Sequence, residues 1–373
     1  MLTAPGCKAR QERLLERMEK ERWDLFLTSD YRTVYYFSGL LGNREFPTLF
    51  LQRSDGHTAL IANSQGSGCC NEQVLLETYS TQRSIETPGD DASKLLRDLL
   101  NRCDSGSIRR CAIERSTTAG IFEQAIVDRF DKVELLDALP ALLRLRKRKH
   151  EDEIACVRES LKYCEVAYRT AREVIAPGLT ELDVYNAMVS AITQAAGTTI
   201  TFAGDFACGE RGIKEGGAPT SRKIQNGDLY ILDIFPAVDL YFADTCRTFA
   251  VGEPNGLQQQ AWQIVMDAVR LAETLVRPGV SVRSVYAEVK AFLDSKPVTE
   301  RSFWHHLGHG IGHRGHEAPR IIPGSEDIFE EGDVLTLEPG IYTQALQGGI
   351  RLEDNYVLRA DGPEDLFDFS WSL

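Results

Sequence analysis

GDLYILD at residues 227 to 233 recurs as GDVLTLE at residues 332 to 338, and this repeat determines the architecture. Upstream, PGLTELDVY at residues 177 to 185 recurs as PGVSVRSVY at residues 278 to 286. The two pairs keep the same order, at offsets of 105 and 101 residues. Each copy predicts a helix and then a strand that ends on a carboxylate. The repeat therefore predicts two αβ halves related by a pseudo-two-fold, with one face between them.

The first of these strands carries one member of a predicted carboxylate pair. DLYILDIF, from residue 228, and DLYFADTCRTF, from residue 239, predict a hairpin that turns at Val238-Asp239. This register sets Asp233 opposite Asp244, and cross-strand partners approach within about 5 Å. The simpler alternative is two surface aspartates on a half-exposed sheet. If the pair is buried, each carboxylate costs several kcal/mol unless a positive charge lies between them.

The second half repeats the pattern and favours a metal site. Glu338 occupies the repeat position of Asp233, and Glu353 on a following strand is the counterpart of Asp244. Arg351 lies two residues before Glu353 and is therefore expected on the same face of its strand. Four carboxylates converging on one face imply at least two divalent cations.

Five of the chain's seven histidines fall in HHLGHGIGHRGH, residues 305 to 316. Its four glycines would each cost about 1 kcal/mol in a helix, so an extended run is predicted. Such a run lets the backbone pass close to a site while alternate side chains reach into it. The alternative is a polyhistidine-like surface loop. Against that alternative, the apolar neighbours predict burial; they are Phe303, Trp304, Leu307 and Ile311.

Together these residues resemble the pita-bread metallopeptidases, in the branch that holds Xaa-Pro aminopeptidase, prolidase and creatinase. The matching motifs are Asp233 and Asp244 with ten residues between them, HHLGHGIGHRGHE, LEPGIY and GIRLED. Two further segments match the family less specifically: RKRKHEDEI, residues 146 to 154, and LFLTSDYRTVYYFSGL in the first part. The resemblance spans most of the chain. It implies an α+β protein with an N-terminal creatinase-like α/β domain, residues 1–148. A C-terminal pita-bread catalytic domain, residues 149–373, would hold duplicated αβ halves and a curved antiparallel sheet.

The resemblance also implies a dinuclear metal centre. Its five ligands fall on Asp233, Asp244, His309, Glu338 and Glu353. Asp244 and Glu353 would bridge both cations. Asp233 would bind one of them, and His309 with Glu338 would bind the other. Oxygen-rich ligation with a single imidazole favours manganese, with cobalt, zinc and iron as the alternatives.

The implied reaction is attack on a carbonyl by a water that two cations have activated as a bridging hydroxide. Glu338 would carry the proton to the leaving nitrogen. His316, with His305, would donate to the developing oxyanion. Arg351 would orient Glu353 or balance the negative charge of the site.

The chain departs from the family's pattern beside the substrate. Many family peptidases carry a histidine about seventeen residues before the first aspartate, in contact with the substrate beside the scissile bond. Here Gly216 stands at that place, in ACGERGIKEGGAPTSRK. Phe235 and Leu240 replace a usual small residue and a usual glycine, and His306 and His313 match no family residue. These departures leave the metal ligands complete and the identity of the substrate open.

Three functions are compatible with these residues. The first is a dinuclear metal-dependent aminopeptidase or dipeptidase of Xaa-Pro type, which hydrolyses the N-terminal peptide bond of a short peptide. The second is a creatinase-like hydrolase or lyase that acts on a small non-peptide molecule. The third is a non-catalytic binding scaffold, which the complete ligand set disfavours. The resemblance also implies a homodimer in which the N-terminal domain of one subunit borders the active site of the other.

Composition argues against several other classes of partner and compartment. The net charge of −13 argues against nucleic acid or an anionic membrane surface. No apolar run approaches the roughly 20 residues of a membrane helix. The nine cysteines are scattered, odd in number and without a CxxC pair, which predicts free thiols in a cytoplasmic protein.

The remaining local signals concern the two parts of the chain. The first part, to about residue 148, alternates strand and helix signals and carries no catalytic motif. After the basic linker RLRKRKH, a long helix is predicted from Glu151 to Ala176, ending at Pro177-Gly178. A second helix opens at Thr180, with Asp183 three residues on in a capping-box pattern.

Overall fold

The computed structural model describes residues 1–42, 44–63, 75–80, 85–104, 106–214, 216–296, 298 and 303–373. The chain divides into two compact units, Met1–Leu145 and Arg146–Leu373, and the predicted boundary at residue 148 lies just beyond the first unit. Across the described residues, no helix combines the length and apolar character needed to cross a membrane. The seven cysteines in this described part of the chain are free thiols.

A mixed sheet forms the centre of the first unit. Its strands are β1 Leu25–Thr28, β2 Leu49–Arg53, β3 Thr58–Asn63, β4 Leu75–Tyr79, β5 Arg110–Ile113 and β6 Glu134–Asp137, in the order β4-β3-β2-β1-β5-β6. The helices are α1 Ala4–Glu21, α2 Tyr31–Ser38, α3 Pro88–Asn101, α4 Gly120–Arg129 and α5 Leu139–Lys147. Side chains alternate between the two faces of a strand. Leu25 and Leu27 therefore join one buried cluster, and Phe26 joins the other.

The second unit combines helix pairs with antiparallel sheets. Its helices are α6 Glu151–Val174, α7 Glu181–Ala196, α8 Gly256–Leu275 and α9 Val282–Asp294. The strands of its first half are β7 Gly204–Cys208, β8 Leu229–Ile234, β9 Ala237–Val238, β10 Tyr241–Phe242 and β11 Thr245–Ala250. The strands of its second half are β12 Gly308–Gly310, β13 Glu317–Ile321, β14 Val334–Leu337, β15 Gly340–Thr343, β16 Gly348–Arg351, β17 Asp354–Arg359 and β18 Gly362–Asp365. The sheet orders are β11-β8-β7 and β13-β12-β14-β17-β18, with separate hairpins β9-β10 and β15-β16.

The two halves of this unit repeat each other in backbone detail. Gly178 and Gly279 follow α6 and α8 with φ values of 96° and 86°. Gly227 and Gly332 precede β8 and β14 with φ values of 89° and 90°. Glycine adopts this left-handed conformation without a steric penalty, which is why both copies of the repeat retain it. The backbone therefore carries the duplication that the sequence repeat predicts.

A backbone bridge joins the two halves beside the strand-end carboxylates. Cys246 in β11 and Glu353, just before β17, exchange two N–H···O bonds of 3.2 and 3.1 Å. On its other side Cys246 is the ladder partner of Asp233 in β8. The bridge therefore sets Asp233, Cys246 and Glu353 in one row across three adjacent segments of chain.

The helix predictions for this unit are confirmed. Helix α6 spans Glu151–Val174, two residues shorter than predicted at its C-terminal end. Helix α7 follows Thr180, whose hydroxyl accepts the Asp183 N–H at 3.1 Å, while the Asp183 carboxylate accepts the Thr180 N–H at 2.8 Å. This reciprocal pair satisfies two N–H groups that would otherwise lack partners at the start of the helix.

The histidine-rich run is not helical, as predicted, but only its centre is extended, and residues 312–316 bend. Its centre forms β12, which pairs with both β13 and β14 inside the larger sheet. A Cβ at Gly308 would overlap the carbonyl oxygen of Thr336, and a Cβ at Gly310 would overlap that of Ala318. The neighbouring backbone can approach this closely because glycine has no Cβ.

Burial around this run follows the prediction except at Trp304. The other three apolar neighbours are buried, whereas Trp304 is 55% exposed. In an extended chain consecutive side chains point to opposite sides. Phe303 takes the core side, so Trp304 faces outwards, with its ring 6.1 Å from that of His305 and 6.4 Å from that of Tyr342.

The close packing at β12 gives a test of the fold. We expect Gly308→Ala to lower the free energy of unfolding by about 1–3 kcal/mol, because the added methyl group must displace the β14 backbone. Gly315→Ala is the matched control, since a Cβ there meets nothing within 4 Å. Urea unfolding followed by tryptophan fluorescence measures both. Equal midpoints for the two variants would contradict the packing described here.

Candidate metal centre

The structure brings the five expected ligands together at the bridge between the halves. Asp233 lies near the end of β8, and Asp244 immediately precedes β11. His309 lies in β12, Glu338 follows β14, and Glu353 precedes β17. All five residues are buried. They reach the same place because each sits at the end of a strand that points towards the bridge, or, for His309, in the strand beside it.

Their ligand atoms form two overlapping groups. The atoms offered by Asp233, Asp244 and Glu353 lie within 4.8 Å of one another, and so do those of His309, Glu338 and Glu353. His309 Nε2 is 3.5 Å from Asp244 Oδ2 and 3.4 Å from Glu338 Oε1. Glu353 belongs to both groups, so the arrangement suits two adjacent cations that share this carboxylate.

The predicted register of the first hairpin is wrong. The turn is centred on Asp239-Leu240, not on Val238-Asp239, and both turn residues adopt positive φ. Moving the turn by one residue moves the ladder by two, so Asp233 pairs with Cys246 instead of Asp244. Asp244 is thus a diagonal neighbour of Asp233. The sequence hid this turn because leucine is disfavoured in the left-handed region, where asparagine or glycine would have marked it.

Several carboxylate oxygens of the centre are buried without a hydrogen bond. Among the described residues, Asp233 Oδ1 and both carboxylate oxygens of Glu353 lack a hydrogen-bond partner. Burial raises the pKa of Asp233 to about 6, against the opposing effect of Arg351. Burial, reinforced by the neighbouring carboxylates, raises the pKa values of Asp244 and Glu353 well above their ordinary range. Divalent cations would remove both problems, since they bind the ionised form and occupy the free oxygens.

Cys246 separates two of these carboxylates without adding charge. Burial raises the pKa of its thiol well above the ordinary range, so the group stays neutral. Cys246 therefore adds no charge to the row that it forms with Asp233 and Glu353.

His309 has the chemical form that a metal ligand needs. Its Nδ1 lies 3.0 Å from the carbonyl oxygen of Gly310, which can only accept, so Nδ1 carries the proton. Burial lowers the pKa of His309 to about 3, and the ring is neutral at physiological pH. The Nε2 lone pair consequently faces Asp244 and Glu338. A backbone acceptor that fixes the opposite tautomer in this way is typical of metal-binding histidines.

His305 has a different environment from the oxyanion donor expected of it. Its Nδ1 donates to the carbonyl of His306 at 2.7 Å, and burial lowers its pKa to about 4. Its Nε2 therefore accepts from the Tyr342 hydroxyl at 3.0 Å. Tyr342 in turn accepts from Arg351 Nη1 at 3.0 Å. Both ring nitrogens of His305 are engaged, so the side chain holds Tyr342 in place.

The other histidines of the run divide between the site and the core. His316 is exposed and its ring centroid lies 4.0 Å from that of His309. His306 Nδ1 lies 3.0 Å from Glu338 Oε1, which places this unassigned residue in the centre. His313 is buried with its ring edge-on to Tyr241, 6.0 Å away, outside the centre.

Arg351 connects the centre to residues that the sequence did not single out. It is ion-paired with Asp233 and lies 3.7 Å from Asp205, and so it balances negative charge beside the first ligand. Tyr342 is the last residue of the motif LEPGIY, and its place in that motif could have identified it as a site residue. Asp205 carried no signal, because its strand shows no motif and its proximity to Asp233 comes from the β7–β8 ladder.

Comparison with family models assigns both parts of the chain. Residues 155–360 match metallopeptidase family M24, and residues 10–148 match the creatinase/prolidase N-terminal domain. An Xaa-Pro dipeptidase of Pyrococcus horikoshii is 27% identical over 359 residues, covering 95% of this chain and 95% of its own. An uncharacterised peptidase of Bacillus subtilis is 29% identical over 292 residues, covering 76% of this chain and 81% of its own.

Solved structures agree with the family match. A prolidase from Thermococcus sibiricus has a TM-score of 0.80 at 26% identity, covering 98% of each chain. An Xaa-Pro dipeptidase from Bacillus anthracis has a TM-score of 0.83 at 24% identity, covering 98% of this chain and 99% of its own, a likeness of fold. The predicted fold class, a creatinase-like α/β domain followed by a pita-bread domain, is confirmed.

The raised pKa of Asp233 gives a pH-dependent prediction for the metal-free protein. Folded Asp233 binds its proton up to about pH 6, whereas the ordinary pKa is 3.8, so its ionisation opposes folding as pH rises. We expect the stability of the wild type, relative to Asp233→Asn, to fall by about 1–3 kcal/mol between pH 4 and pH 7. Urea unfolding in EDTA measures this difference.

Saturating manganese is the control for this measurement. It should raise the stability of the wild type relative to Asp233→Asn at pH 7, because the wild type keeps a ligand that the variant lacks. A stability difference that stays flat from pH 4 to pH 7 in EDTA would show that Asp233 is not buried at an elevated pKa.

Proposed function

The chain belongs to metallopeptidase family M24, and we propose that it is a dinuclear metal-dependent aminopeptidase or dipeptidase of Xaa-Pro type. Its substrate would be a short peptide, hydrolysed at the N-terminal peptide bond. One observation carries the proposal: five buried ligands converge in two groups that share Glu353. A single structural cation would need only one such group.

We assign the cation sites as follows. Asp244 and Glu353 would serve both cations, Asp233 would hold one, and His309 with Glu338 would hold the other. When bound, the cations supply Lewis acidity, which lowers the pKa of a water and polarises a scissile carbonyl. Manganese fits the oxygen-rich donor set, with cobalt, zinc and iron as alternatives.

Proton transfer is assigned to Glu338. Its carboxylate is buried, and His306 and His309 approach it at 3.0 and 3.4 Å. Burial alone would raise the pKa of Glu338, but its hydrogen bond with His306 opposes that effect, and the pKa lies below the ordinary range. Glu338 is thus ionised, able to accept a proton from the attacking water and pass it to the leaving nitrogen.

His316 is the proposed donor to the developing oxyanion. It is the exposed histidine of the centre, and its ring packs against that of His309. His305 becomes a positioning residue in this account, since it holds Tyr342, which accepts from Arg351. Arg351 keeps Asp233 oriented and balances part of the negative charge of the centre.

We keep a second candidate function, a creatinase-like activity, because residue 216 on the substrate side is a glycine. Gly216 stands where the resembling peptidases carry a histidine beside the scissile bond. A creatinase-like hydrolase or lyase acting on a small non-peptide molecule would use the same cations with a different pocket. We further propose a cytoplasmic homodimer, in keeping with the free thiols and with the family resemblance.

A peptide panel tests the proposed activity. Metal-stripped protein reloaded with manganese should release the first residue from X-Pro or X-Ala peptides of two and three residues. Asp244→Ala should reduce kcat/KM by at least about 1,000-fold, because the ligands act as a unit. Asp267→Ala is the control, since this side chain is exposed on α8 and lies outside the centre.

Three outcomes decide between the candidates. Release only from X-Pro peptides supports the Xaa-Pro assignment, and release from both series supports a broader peptidase. No release from any peptide, with two manganese ions bound per chain, would overturn the peptidase proposal in favour of the non-peptide alternative.

A further inference from the structure

Asp205 brings an additional carboxylate to the face that holds the metal centre. It lies in β7 and is the ladder partner of Asp233 in β8, so both side chains project from the same face of the sheet. The Asp233 and Arg351 side chains are 10% and 4% exposed, whereas that of Asp205 is 38% exposed. Asp205 is therefore the point at which this buried, charged face opens to solvent.

Nearby cations do not neutralise Asp205 fully. Arg351 bonds to Asp233 and to the Tyr342 hydroxyl, and it approaches Asp205 only at 3.7 Å. Arg211, in the adjoining loop, is ion-paired with Glu181. Among the described residues, the one guanidinium that approaches this partly exposed carboxylate is shared with Asp233, so Asp205 retains the ability to bind another positive group.

The loop after β7 fixes the position of this carboxylate. A Cβ at Gly216 would lie 2.5 Å from Asp205 Oδ2, so any side chain at residue 216 would take the space that Asp205 fills. Gly217 has a φ of +136°, and its carbonyl accepts the Phe206 N–H at 2.7 Å. These two glycines hold the loop against β7. The absence of a side chain at residue 216 is thus coupled to the presence of the carboxylate at residue 205.

The position of Asp205 indicates which end of a substrate it meets. The proton donor to the leaving nitrogen, Glu338, groups with His309, while Asp233 groups with Asp244. The residue before the scissile bond therefore lies towards Asp233. Asp205 is one strand further out, about 5 Å away, which suits a long side chain better than the α-amino group.

We propose that Asp205 is a specificity-determining residue that binds a positively charged side chain, that of arginine or lysine, on the first residue of the substrate. This inference rests on the proposed peptidase function for its place in catalysis. The contact itself, a carboxylate with a guanidinium or ammonium group, forms on binding and can be measured without turnover.

Citrulline provides a neutral isostere of arginine for the test. Binding of L-argininamide and L-citrullinamide to the manganese-loaded protein is measured by calorimetry, so that the α-amino group is common to both. We expect the wild type to bind L-argininamide at least 10-fold more tightly. Asp205→Asn should reduce the ratio to within about twofold of unity, while Asp267→Asn, which removes an exposed charge elsewhere, should keep the wild-type ratio.

Peptides that begin with arginine or with citrulline, followed by the second residue that the peptide panel favours, extend the test to turnover. The ratio of their kcat/KM values is then compared between the wild type and Asp205→Asn. An arginine preference that is absent in the wild type, or that survives in Asp205→Asn, would overturn the proposal. A binding preference without cleavage of any peptide would remove the peptidase function and leave the cationic subsite standing. Cleavage of peptides without a preference for arginine over citrulline would support the peptidase function and remove the cationic subsite.

Discussion

Mutual repulsion among buried carboxylates is the constraint on which this structure depends. Asp233, Asp244, Glu338 and Glu353 converge from four strand ends with little access to water. Desolvation, and then repulsion, raises the pKa values of three of them, and oxygens of Asp233 and Glu353 have no hydrogen-bond partner within the described chain. Such a cluster destabilises the fold unless cations complete it. Two overlapping ligand groups that share one carboxylate are the arrangement that two cations require.

The duplicated architecture explains how the chain assembles such a cluster. Each half supplies a strand that ends on a carboxylate, and matched glycines set the entry to each strand at Gly227 and Gly332. The Cys246–Glu353 bridge joins the halves, and the neutral thiol adds no charge beside the carboxylates. Glycines at residues 308 and 310 then let β12 approach its neighbours closely enough for His309 to join. Fold and site are therefore products of the same repeat.

Much of this could be predicted from the sequence, because the repeat, the glycine-rich histidine run and the strand-end carboxylates are local patterns. The register between β8 and β11 could not be predicted, since the turn places Leu240 in a left-handed conformation that leucine rarely adopts. Trp304 was expected to be buried because its neighbours are apolar, but alternation along the extended chain turned it outwards. Asp205 and the engaged nitrogens of His305 depend on tertiary contacts that no local pattern reports.

The substrate side shows how a common centre can acquire its own selectivity. The positions of the ligand residues would be constrained by the cations. Gly216 and Asp205 constrain each other instead, because a side chain at residue 216 would overlap the Asp205 carboxylate. A change at one of these two positions alters what the other can hold. Selectivity can thus shift at the solvent edge of the centre while its ligands stay unchanged, which agrees with the complete ligand set and the missing histidine of this chain.

The number of metal ions bound per chain distinguishes a dinuclear centre from a mononuclear one. The metal-stripped protein is equilibrated with manganese, passed through gel filtration and measured by plasma mass spectrometry. We expect two manganese ions per chain in the wild type and in the exposed control Asp267→Asn. We expect at most one in Glu353→Gln, because that residue is shared between the two groups. One ion or none in the wild type, or two in Glu353→Gln, would contradict a dinuclear centre built on this shared carboxylate.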